Sequence, residues 1–268
     1  MQMQLLVDFL SDFLLVPHGG DQAKFTLKVG PLTGFDSKFI ENGILITDLP
    51  SIKSINYARK KKYNFIISPN SFSFLNGNTI DLVDQNRLLL LLKGHIMHYV
   101  LPSQWAWIQD GLNESLIEKI GLKKVRVIEQ NRTDKFTGYG YICRYDGPKI
   151  KLKEFIRNLK RLLSVNHILL MGGNGDDTFS DNIFLSSSKI TDLEHITDAH
   201  KNKCQYILSG SISTEAKFMA LKYGIKTIET TYLGYIRPAL EKLKLILSMQ
   251  FPHLETENFY HYGLLNVF

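Results

Sequence analysis

The chain has 268 residues, a net charge of +6 and 44% hydrophobic residues, a composition typical of a globular protein rather than a disordered or membrane-spanning one. Its two cysteines form no CxxC pair, which excludes a disulfide framework and a cysteine zinc site and fits a reducing compartment. The N-terminus lacks the basic segment of a signal peptide, and the longest apolar run, Leu88 to Leu92, is too short to cross a bilayer. We therefore expect a cytoplasmic protein that does not enter a membrane.

Helix and strand patterns alternate along the first half of the chain. Apolar residues at helical spacing predict an opening helix up to Leu14, and a short strand is predicted from Phe25 to Val29. The strand-helix pairs that follow are Gly43–Thr47 with Ser51–Lys62, Asn64–Ser68 with Asp81–Lys93, and His95–Leu101 with Asn113–Ile120. Two bridging strands, Val125–Glu129 and Gly138–Arg144, lead into the second half.

The same alternation returns in the second half. The predicted helices are Leu152–Leu163, Ser213–Tyr223 and Gly234–Met249, and the predicted strands are His167–Met171, Tyr206–Ser209, Lys226–Glu229 and a C-terminal strand from Tyr260 to Val267. Three segments match in order between the halves: Ile44–Asp48 with Ile168–Gly172, Phe65–Pro69 with Tyr206–Gly210, and His98–Pro102 with Lys226–Thr230.

This order predicts an α/β fold made of two repeats, each with a helix, a strand and three strand-helix units. Short apolar strands between helices indicate mixed, mainly parallel sheets that are covered on both faces. We place the repeats at residues 1–123 and 124–268, with the bridging strands in 124–145, and expect them to pack as one compact unit.

Candidate sites lie in the loops beyond the carboxyl ends of the strands, where ligands of open α/β sheets bind. Asp48 follows one such strand and is either a ligand or, as we favour, the N-terminal cap of the next helix. The next two loops carry Asn70 and then Gln104 and Trp105, amide and aromatic groups that are poor metal ligands.

The loops of the second half also lack a clear catalytic set. Gly172 to Gly175 is interpreted as a tight turn, because it lacks the Lys-Ser/Thr of a phosphate-binding loop and two aspartates follow it. Ser213 is predicted to cap a helix. The last loop contributes Thr230 and Tyr232.

The histidines lie mostly outside these loops. His95 and His98 should face opposite sides of a strand, so they cannot share a metal. His195 and His200 point about 140° apart on a helix and indicate a solvated helix face. His261, between two tyrosines, is interpreted as part of a packed or interface aromatic cluster rather than as a proton shuttle.

Several segments of the sequence are similar to those of one known family. They are the opening helix with Leu27–Gly30, then Ile66–Asn70, Gly111–Asn113, Gly172–Gly175, Tyr206–Gly210 and Gly234–Leu240. Through these segments nearly the whole chain resembles the NGG-one-interacting-factor-three family, also called the type 2 GTP cyclohydrolase I family. The resemblance implies two intertwined repeats, a homo-oligomer that is a dimer or a hexamer, and a paired metal site.

The metal motifs of that family are Thr-His-His-Pro, His-Thr-Asn-Leu-Asp and Gly-His-Tyr-Gly-Ser-Glu. Aligned on this chain, their six ligand positions become Pro69, Asn70, Pro102, Ala106, Tyr232 and Ile236. Proline, alanine and isoleucine offer no donor atom, and asparagine and tyrosine replace imidazole poorly. The resemblance therefore implies the fold, whereas metal-dependent hydrolysis of the family type is not expected, and we expect no resident metal or other cofactor.

Three hypotheses about function follow. The first is a metal-free, non-catalytic protein that acts in binding or assembly. The second is an enzyme or a protein that binds a nucleotide-like small molecule in a repurposed cleft lined by Asp48, Asn70, Gln104, Trp105, Thr230 and Tyr232. The third is a nucleic-acid-associated regulator, which the net charge permits, although the basic run at residues 59–62 is interpreted as the end of a helix.

Overall fold

The computed structural model describes residues 1–14, 27–30, 38–72, 74–75, 79–129, 138–179 and 182–261. Packing divides the chain into two compact units. Unit 1 comprises Met1–Trp105 with Leu243–Phe268, and unit 2 comprises Ala106–Lys242. Because these units are defined by packing and not by repeats, the predicted division at residues 123 and 124 stays a prediction. No helix among the described residues is long and apolar enough to cross a membrane.

A five-stranded sheet forms the centre of unit 1. In spatial order its strands are β1 (Leu27–Val29), β6 (Met97–Val100), β3 (Phe65–Ser68), β2 (Gly43–Thr47) and β17 (Glu255–Phe259). Strand β1 is antiparallel to β6, and all other neighbours are parallel. The unit also contains α1 (Met3–Phe13), α2 (Ile52–Lys61), α3 (Leu82–Lys93) and the hairpin of β4 (Phe74–Leu75) and β5 (Thr79–Ile80).

The elements of unit 1 follow from local sequence. Every residue of β2 and β3 is buried, as expected for central strands that helices cover on both faces. Helix α2 begins after Ser51, whose Oγ accepts a hydrogen bond from the backbone N–H of Ser54. It ends at Lys61 with three basic residues in its last turn, where cations favour the helix dipole. The interpretation of the basic run as a helix end is confirmed.

A six-stranded mixed sheet forms the centre of unit 2. In spatial order its strands are β10 (Leu169–Met171), β16 (Lys226–Glu229), β14 (Tyr206–Ser209), β12 (Asn182–Leu185), β8 (Gly138–Tyr145) and β7 (Leu122–Glu129). Strands β12, β14 and β16 are parallel, and the outer strands are antiparallel. Two short pairs join β9 (Ile150–Lys151) to β11 (Thr178–Phe179) and β13 (Lys189–Ile190) to β15 (Ser211–Ile212).

The helices of unit 2 are α4 (Leu112–Ile120), α5 (Leu152–Leu163), α6 (Glu194–Lys201) and α7 (Thr214–Lys222). The long helix α8 (Tyr232–Gln250) belongs to unit 2 as far as Lys242 and to unit 1 from Leu243 onward. Helix α7 begins after Ser213, whose side chain accepts a hydrogen bond from the N–H of Ala216, so the predicted cap is confirmed.

The predicted fold class is confirmed. One half of the chain runs α1, β1, β2-α2, β3-α3 and β6-α4, and the other runs α5, β10, β12-α6, β14-α7 and β16-α8. The match of Ile44–Asp48 with Ile168–Gly172 was wrong, however. Strand β10 takes the place of β1, because each is the antiparallel edge partner of the last parallel strand of its sheet. The counterpart of β2 is β12, a strand that the sequence patterns did not predict.

The C-terminal strand was also misplaced. It was predicted from Tyr260 to Val267, but the strand is β17, at Glu255–Phe259, and residues 262–268 lie outside the described part of the chain. Four of the five residues of β17 are polar, so it lacks the apolar run that marks the other central strands. Its register with β2 places Phe259 opposite Thr47.

Candidate functional site

A cavity in unit 1 lies at the carboxyl ends of β2 and β17. Because these two strands are parallel, the residues that follow both of them emerge at the same edge of the sheet. Asp48 follows β2, Ser51 stands immediately before α2, and His261 follows β17. All three side chains line a cavity of about 500 Å³.

The three side chains form a continuous hydrogen-bonded chain. Nδ1 of His261 lies 2.5 Å from Oδ1 of Asp48, and Nε2 lies 2.5 Å from Oγ of Ser51. A carboxylate only accepts hydrogen bonds, so Nδ1 donates to Asp48, and in the tautomer with its single proton on Nδ1 the Nε2 atom accepts the Ser51 hydroxyl proton. The side chains of His261 and Asp48 are only 9% and 11% exposed. Water therefore competes little for these bonds.

Neighbouring residues hold this chain in place. The Thr47 hydroxyl lies 3.2 Å from Oδ1 of Asp48 and 3.2 Å from the backbone carbonyl of Leu49, and can donate to either. The imidazole of His261 packs edge-on against the ring of Phe259, with 5.3 Å between ring centroids. The Oγ of Ser51 accepts the N–H of Ser54 at 3.1 Å and so caps α2. The Ser51 hydroxyl lies 2.5 Å from Nε2 of His261 and 3.3 Å from the Ser54 hydroxyl, so the histidine is the nearer acceptor for its proton.

Most of the cavity wall is apolar. Leu49, Ile52, Val83 and Phe259 contribute to it. A concave apolar wall with a few converging polar groups is the usual construction of a small-molecule site, and about 500 Å³ lies within the range of such sites.

Arg87 adds a buried charge to the cavity wall. Its side chain is only 10% exposed, forms an ion pair with Asp84 and lies 5.6 Å from the ring centroid of Phe72. Burial lowers the pKa of the guanidinium from its usual value. Its Nε has no hydrogen-bond acceptor among the described residues, and a buried donor without an acceptor is costly.

A second serine-histidine pair lies deeper in unit 1. Nε2 of His98 is 2.8 Å from Oγ of Ser68, which donates its own proton to the backbone carbonyl of Asn70. Burial lowers the pKa of His98 to about 3, and the positive charges of Arg87 and Lys28 lower it further. His98 is therefore neutral, and because Ser68 donates elsewhere, this pair cannot activate the serine hydroxyl.

The structure places four of the six predicted ligand-binding residues in unit 1. Asn70 and Asp48 are adjacent, since the Asn70 amide donates to the Asp48 backbone carbonyl over 2.8 Å. Gln104 and Trp105 lie in a 3-10 helix at Ser103–Ala106, where Trp105 is buried. Asp48 does not cap α2, because Ser51 does; the favoured interpretation of Asp48 as a cap was wrong.

The other two predicted residues belong to unit 2. Thr230 is fully buried, and its hydroxyl is 3.3 Å from each of the backbone carbonyls of Ser209 and Thr231. Tyr232 is half-buried at the start of α8. That all six residues line one cleft stays a prediction.

The positions where the family resemblance implies metal ligands do not suit a metal. Ile236 is buried, and its side chain, like those of Pro69 and Ala106, has no donor atom. The Asn70 amide is directed to a backbone carbonyl. Among the residues that the structure describes, no group of three or more His, Cys, Asp or Glu side chains is arranged to hold a metal ion.

The predicted histidine pair of α6 is only partly a solvated face. His195 is half-buried, and desolvation lowers its pKa despite nearby acidic residues. His200 stacks on the ring of Tyr223 with 4.2 Å between centroids. The stacking contact accounts for His200 as a packing group.

Sequence patterns missed Ser51, Arg87 and the polar role of His261. The predicted aromatic contact of His261 does exist, with Phe259, but the same ring also joins Asp48 to Ser51. The available signal was an aspartate and a serine flanking a strand-to-helix loop. The partner histidine is 210 residues from Ser51 in sequence, and only the pairing of β17 with β2 brings it near.

These features define an α/β protein of two repeats with a cavity at a strand-end edge. A family model for Duf34/NIF3 (NGG1p interacting factor 3) matches residues 21–261. The chain belongs to this family, as its sequence resemblance indicated.

Individual relatives agree with this assignment. A Methanocaldococcus jannaschii protein named GTP cyclohydrolase 1 type 2 homolog is 22% identical over 252 residues, which cover 92% of this chain and 95% of that protein. A Bacillus cereus protein described as related to NIF3 has a similar structure, with a TM-score of 0.79, 11% identity and coverage of 100% of this chain and 99% of that one. Reduced HcgD from M. jannaschii gives a TM-score of 0.76 and 20% identity, covering 96% of this chain and 97% of that one. At these identities, the structures establish the fold alone.

Proposed function

We propose that this family member is a metal-free binding protein whose ligand is a small, largely apolar molecule held in the unit 1 cavity. The observation that carries the proposal is a cavity of about 500 Å³ with a mainly apolar wall on which Asp48, Ser51 and His261 converge. The donor-free side chains at Pro69, Ala106 and Ile236 support the absence of family-type metal chemistry.

The cavity specifies the chemistry of its ligand. The walls at Leu49, Ile52 and Val83 would cover an apolar body, a burial that contributes about 25 cal/mol per Å² of apolar surface. Arg87 would donate to a carbonyl or carboxylate oxygen, and Ser51 and His261 would face the same polar end of the molecule. Medium-chain carboxylic acids and their esters have this combination of groups.

A nucleotide-like ligand is the competing expectation from sequence. The unit 1 cavity offers it little, because its wall is mainly apolar, whereas the base, sugar and phosphates of a nucleotide carry many polar groups that would lose water on burial. A metal-free assembly role without any ligand is the other alternative. One binding assay separates all three.

The assay is thermal stabilisation by four- to eight-carbon carboxylates, by their ethyl esters and by a panel of nucleotides. Saturation at about 100 times Kd adds about 2.7 kcal/mol, so we expect Tm to rise by about 5 °C or more with the apolar acids or esters. Stabilisation by nucleotides alone would contradict the proposed ligand class. No stabilisation by any compound would favour the assembly role.

Two neighbouring substitutions show whether the ligand occupies this cavity. Val83 lines the cavity and is 59% exposed, so Val83→Trp should fill the space and abolish the ligand-induced rise in Tm without disturbing the core. Leu82 is 76% exposed and is not part of the wall, so Leu82→Trp is the matched control and should keep the full rise. If both variants show the same ligand-induced rise in Tm, the ligand binds outside this cavity.

A further inference from the structure

We propose that Ser51 is a nucleophile, activated by His261 and oriented through Asp48, that hydrolyses carboxylic esters whose acyl part fits the unit 1 cavity. The inference rests on the proposed function, because it deepens the chemistry of the same cavity. It is carried by the two 2.5 Å contacts of the His261 ring and by the position of all three side chains on the cavity wall.

The order of the contacts is that of a serine, histidine and aspartate catalytic triad. The carboxylate of Asp48 holds the Nδ1–H tautomer of His261, which leaves Nε2 free to accept the proton of Ser51. Triads are recognised by geometry and roles rather than by their order in sequence, so an aspartate, serine, histidine order does not disqualify this one.

Capping of α2 does not account for this arrangement. A helix cap needs only one lone pair of Oγ, and the N–H of Ser54 occupies it at 3.1 Å. The short contact of Oγ with Nε2 adds nothing to capping, and the carboxylate behind the imidazole adds nothing either. The pair of Ser68 and His98 differs, because Ser68 donates its proton to the Asn70 carbonyl and not to the imidazole.

The first turn of α2 supplies hydrogen-bond donors for the negative charge that develops on the ester carbonyl oxygen. The backbone N–H groups of Ile52 and Lys53 belong to the first turn of α2, where helical amides have no intrahelical acceptor. Both residues line the cavity. Backbone donors next to the nucleophile stabilise the negative charge that develops on a carbonyl oxygen.

The reaction follows from these positions. Oγ of Ser51 attacks the ester carbonyl carbon as its proton passes to Nε2 of His261, and the carbonyl π pair moves onto oxygen. The adduct then collapses, the bond to the alcohol oxygen breaks, and that oxygen takes the proton from Nε2. Water attacks the acyl-serine in the same way, giving its proton to Nε2. That proton returns to Oγ of Ser51 as the carboxylic acid leaves.

The test uses a fluorophosphonate probe, with the adduct located by peptide mass mapping, and the hydrolysis of p-nitrophenyl butyrate. We expect the wild-type adduct on Ser51. Ser51→Gly should lose labelling and turnover while retaining a tolerated helix cap. His261→Gln should slow both reactions by about 100-fold or more, because it removes the general base. Ser103→Ala, at an exposed serine outside the cavity wall, is the matched control and should keep the wild-type rates.

The outcomes are separable from those of the binding assay. Adduct formation on another residue, or full turnover by Ser51→Gly, overturns the assignment of the nucleophile. If wild-type protein shows no adduct and no turnover but still gains Tm with a cavity ligand that Val83→Trp abolishes, the nucleophile is refuted and the binding function stands. Labelling of Ser51 without any ligand-dependent rise in Tm supports the nucleophile and refutes the binding function.

Discussion

Glu257 connects β17, the strand that precedes His261, to α2, the helix that follows Ser51. Replacing Glu257 by glutamine should therefore lower the stability of the fold. Its carboxylate accepts a hydrogen bond from the Tyr57 hydroxyl at 2.5 Å and from Nζ of Lys61 at 2.7 Å. The carboxylate is 23% exposed, which makes this pair less screened than an ordinary surface ion pair. The contacts therefore connect β17 to α2 beside the cavity.

The shift in the pKa of Glu257 sets how much this carboxylate stabilises the fold and how that stabilisation depends on pH. Burial alone would raise this pKa, but the hydrogen bonds from Lys61 and Tyr57 outweigh burial and lower it from 4.5 to about 2. At about 1.4 kcal/mol per pKa unit, this change corresponds to about 3 kcal/mol, and water around the half-exposed Lys61 reduces it to about 1–2 kcal/mol. Because the pKa is lower in the folded state, the stabilisation is complete above pH 4.5 and is lost as the pH falls through about 2.

Urea denaturation of Glu257→Gln and of wild type at pH 7 and at pH 3 measures this contribution. We expect a loss of about 1–2 kcal/mol in the free energy of unfolding at pH 7 and a smaller loss at pH 3. Glu255→Gln is the matched control, because Glu255 is 56% exposed and lies 3.9 Å from the same Lys61, and it should cost less than about 0.5 kcal/mol. Equal losses for the two variants, or a Glu257→Gln loss that does not shrink at low pH, would refute the reasoning.

Three further predictions concern packing and burial. Gly43→Ala should cost about 1–3 kcal/mol by urea denaturation, because the added Cβ would lie 2.6 Å from the backbone oxygen of Glu255 and from the Tyr63 ring; a neutral result would mean that the β2–β17 edge is looser than described. Asn113→Ala should cost about 2–4 kcal/mol in the same assay, since its amide donates to the Ser186 carbonyl at 3.0 Å and accepts the Tyr235 hydroxyl at 2.7 Å, whereas Tyr235→Phe removes one of these bonds and should cost less. Burial raises the pKa of the Cys143 thiol to about 12 and that of Cys204 to about 11. Alkylation by iodoacetamide at pH 8 should therefore be at least about 100-fold slower in native protein than in urea. Equal rates would show that the thiols are accessible.

Local patterns predicted the central elements of the fold. Strand β2 and helix α5 have the bounds that their apolar periodicity predicts, because each buries a continuous face. Local patterns missed strands β12 and β17. Both depend on neighbours that are distant in sequence, and β17 presents polar residues such as Glu257, whose partners lie on α2.

The candidate site was less predictable than the fold. Asp48 was identified because it follows a buried strand, but its partner was not. No local pattern states that β17 lies parallel to β2, and that pairing is the only reason why His261 meets Asp48 and Ser51. The neighbouring tyrosines of His261 favoured packing, and the hydrogen bonds of its ring nitrogens are invisible in sequence.

Asn70 lies beside the candidate site and supports one of its loops. The family resemblance aligns this residue with a metal-binding histidine, and in this structure its amide donates a hydrogen bond to the Asp48 carbonyl over 2.8 Å. That carbonyl belongs to the short loop between β2 and α2, so the Asn70 side chain fixes the loop that carries Asp48 and Ser51. Shortening Asn70 to alanine would release the loop but leave the imidazole in place. Asn70→Ala should therefore slow the labelling of Ser51 by the fluorophosphonate while the variant remains folded.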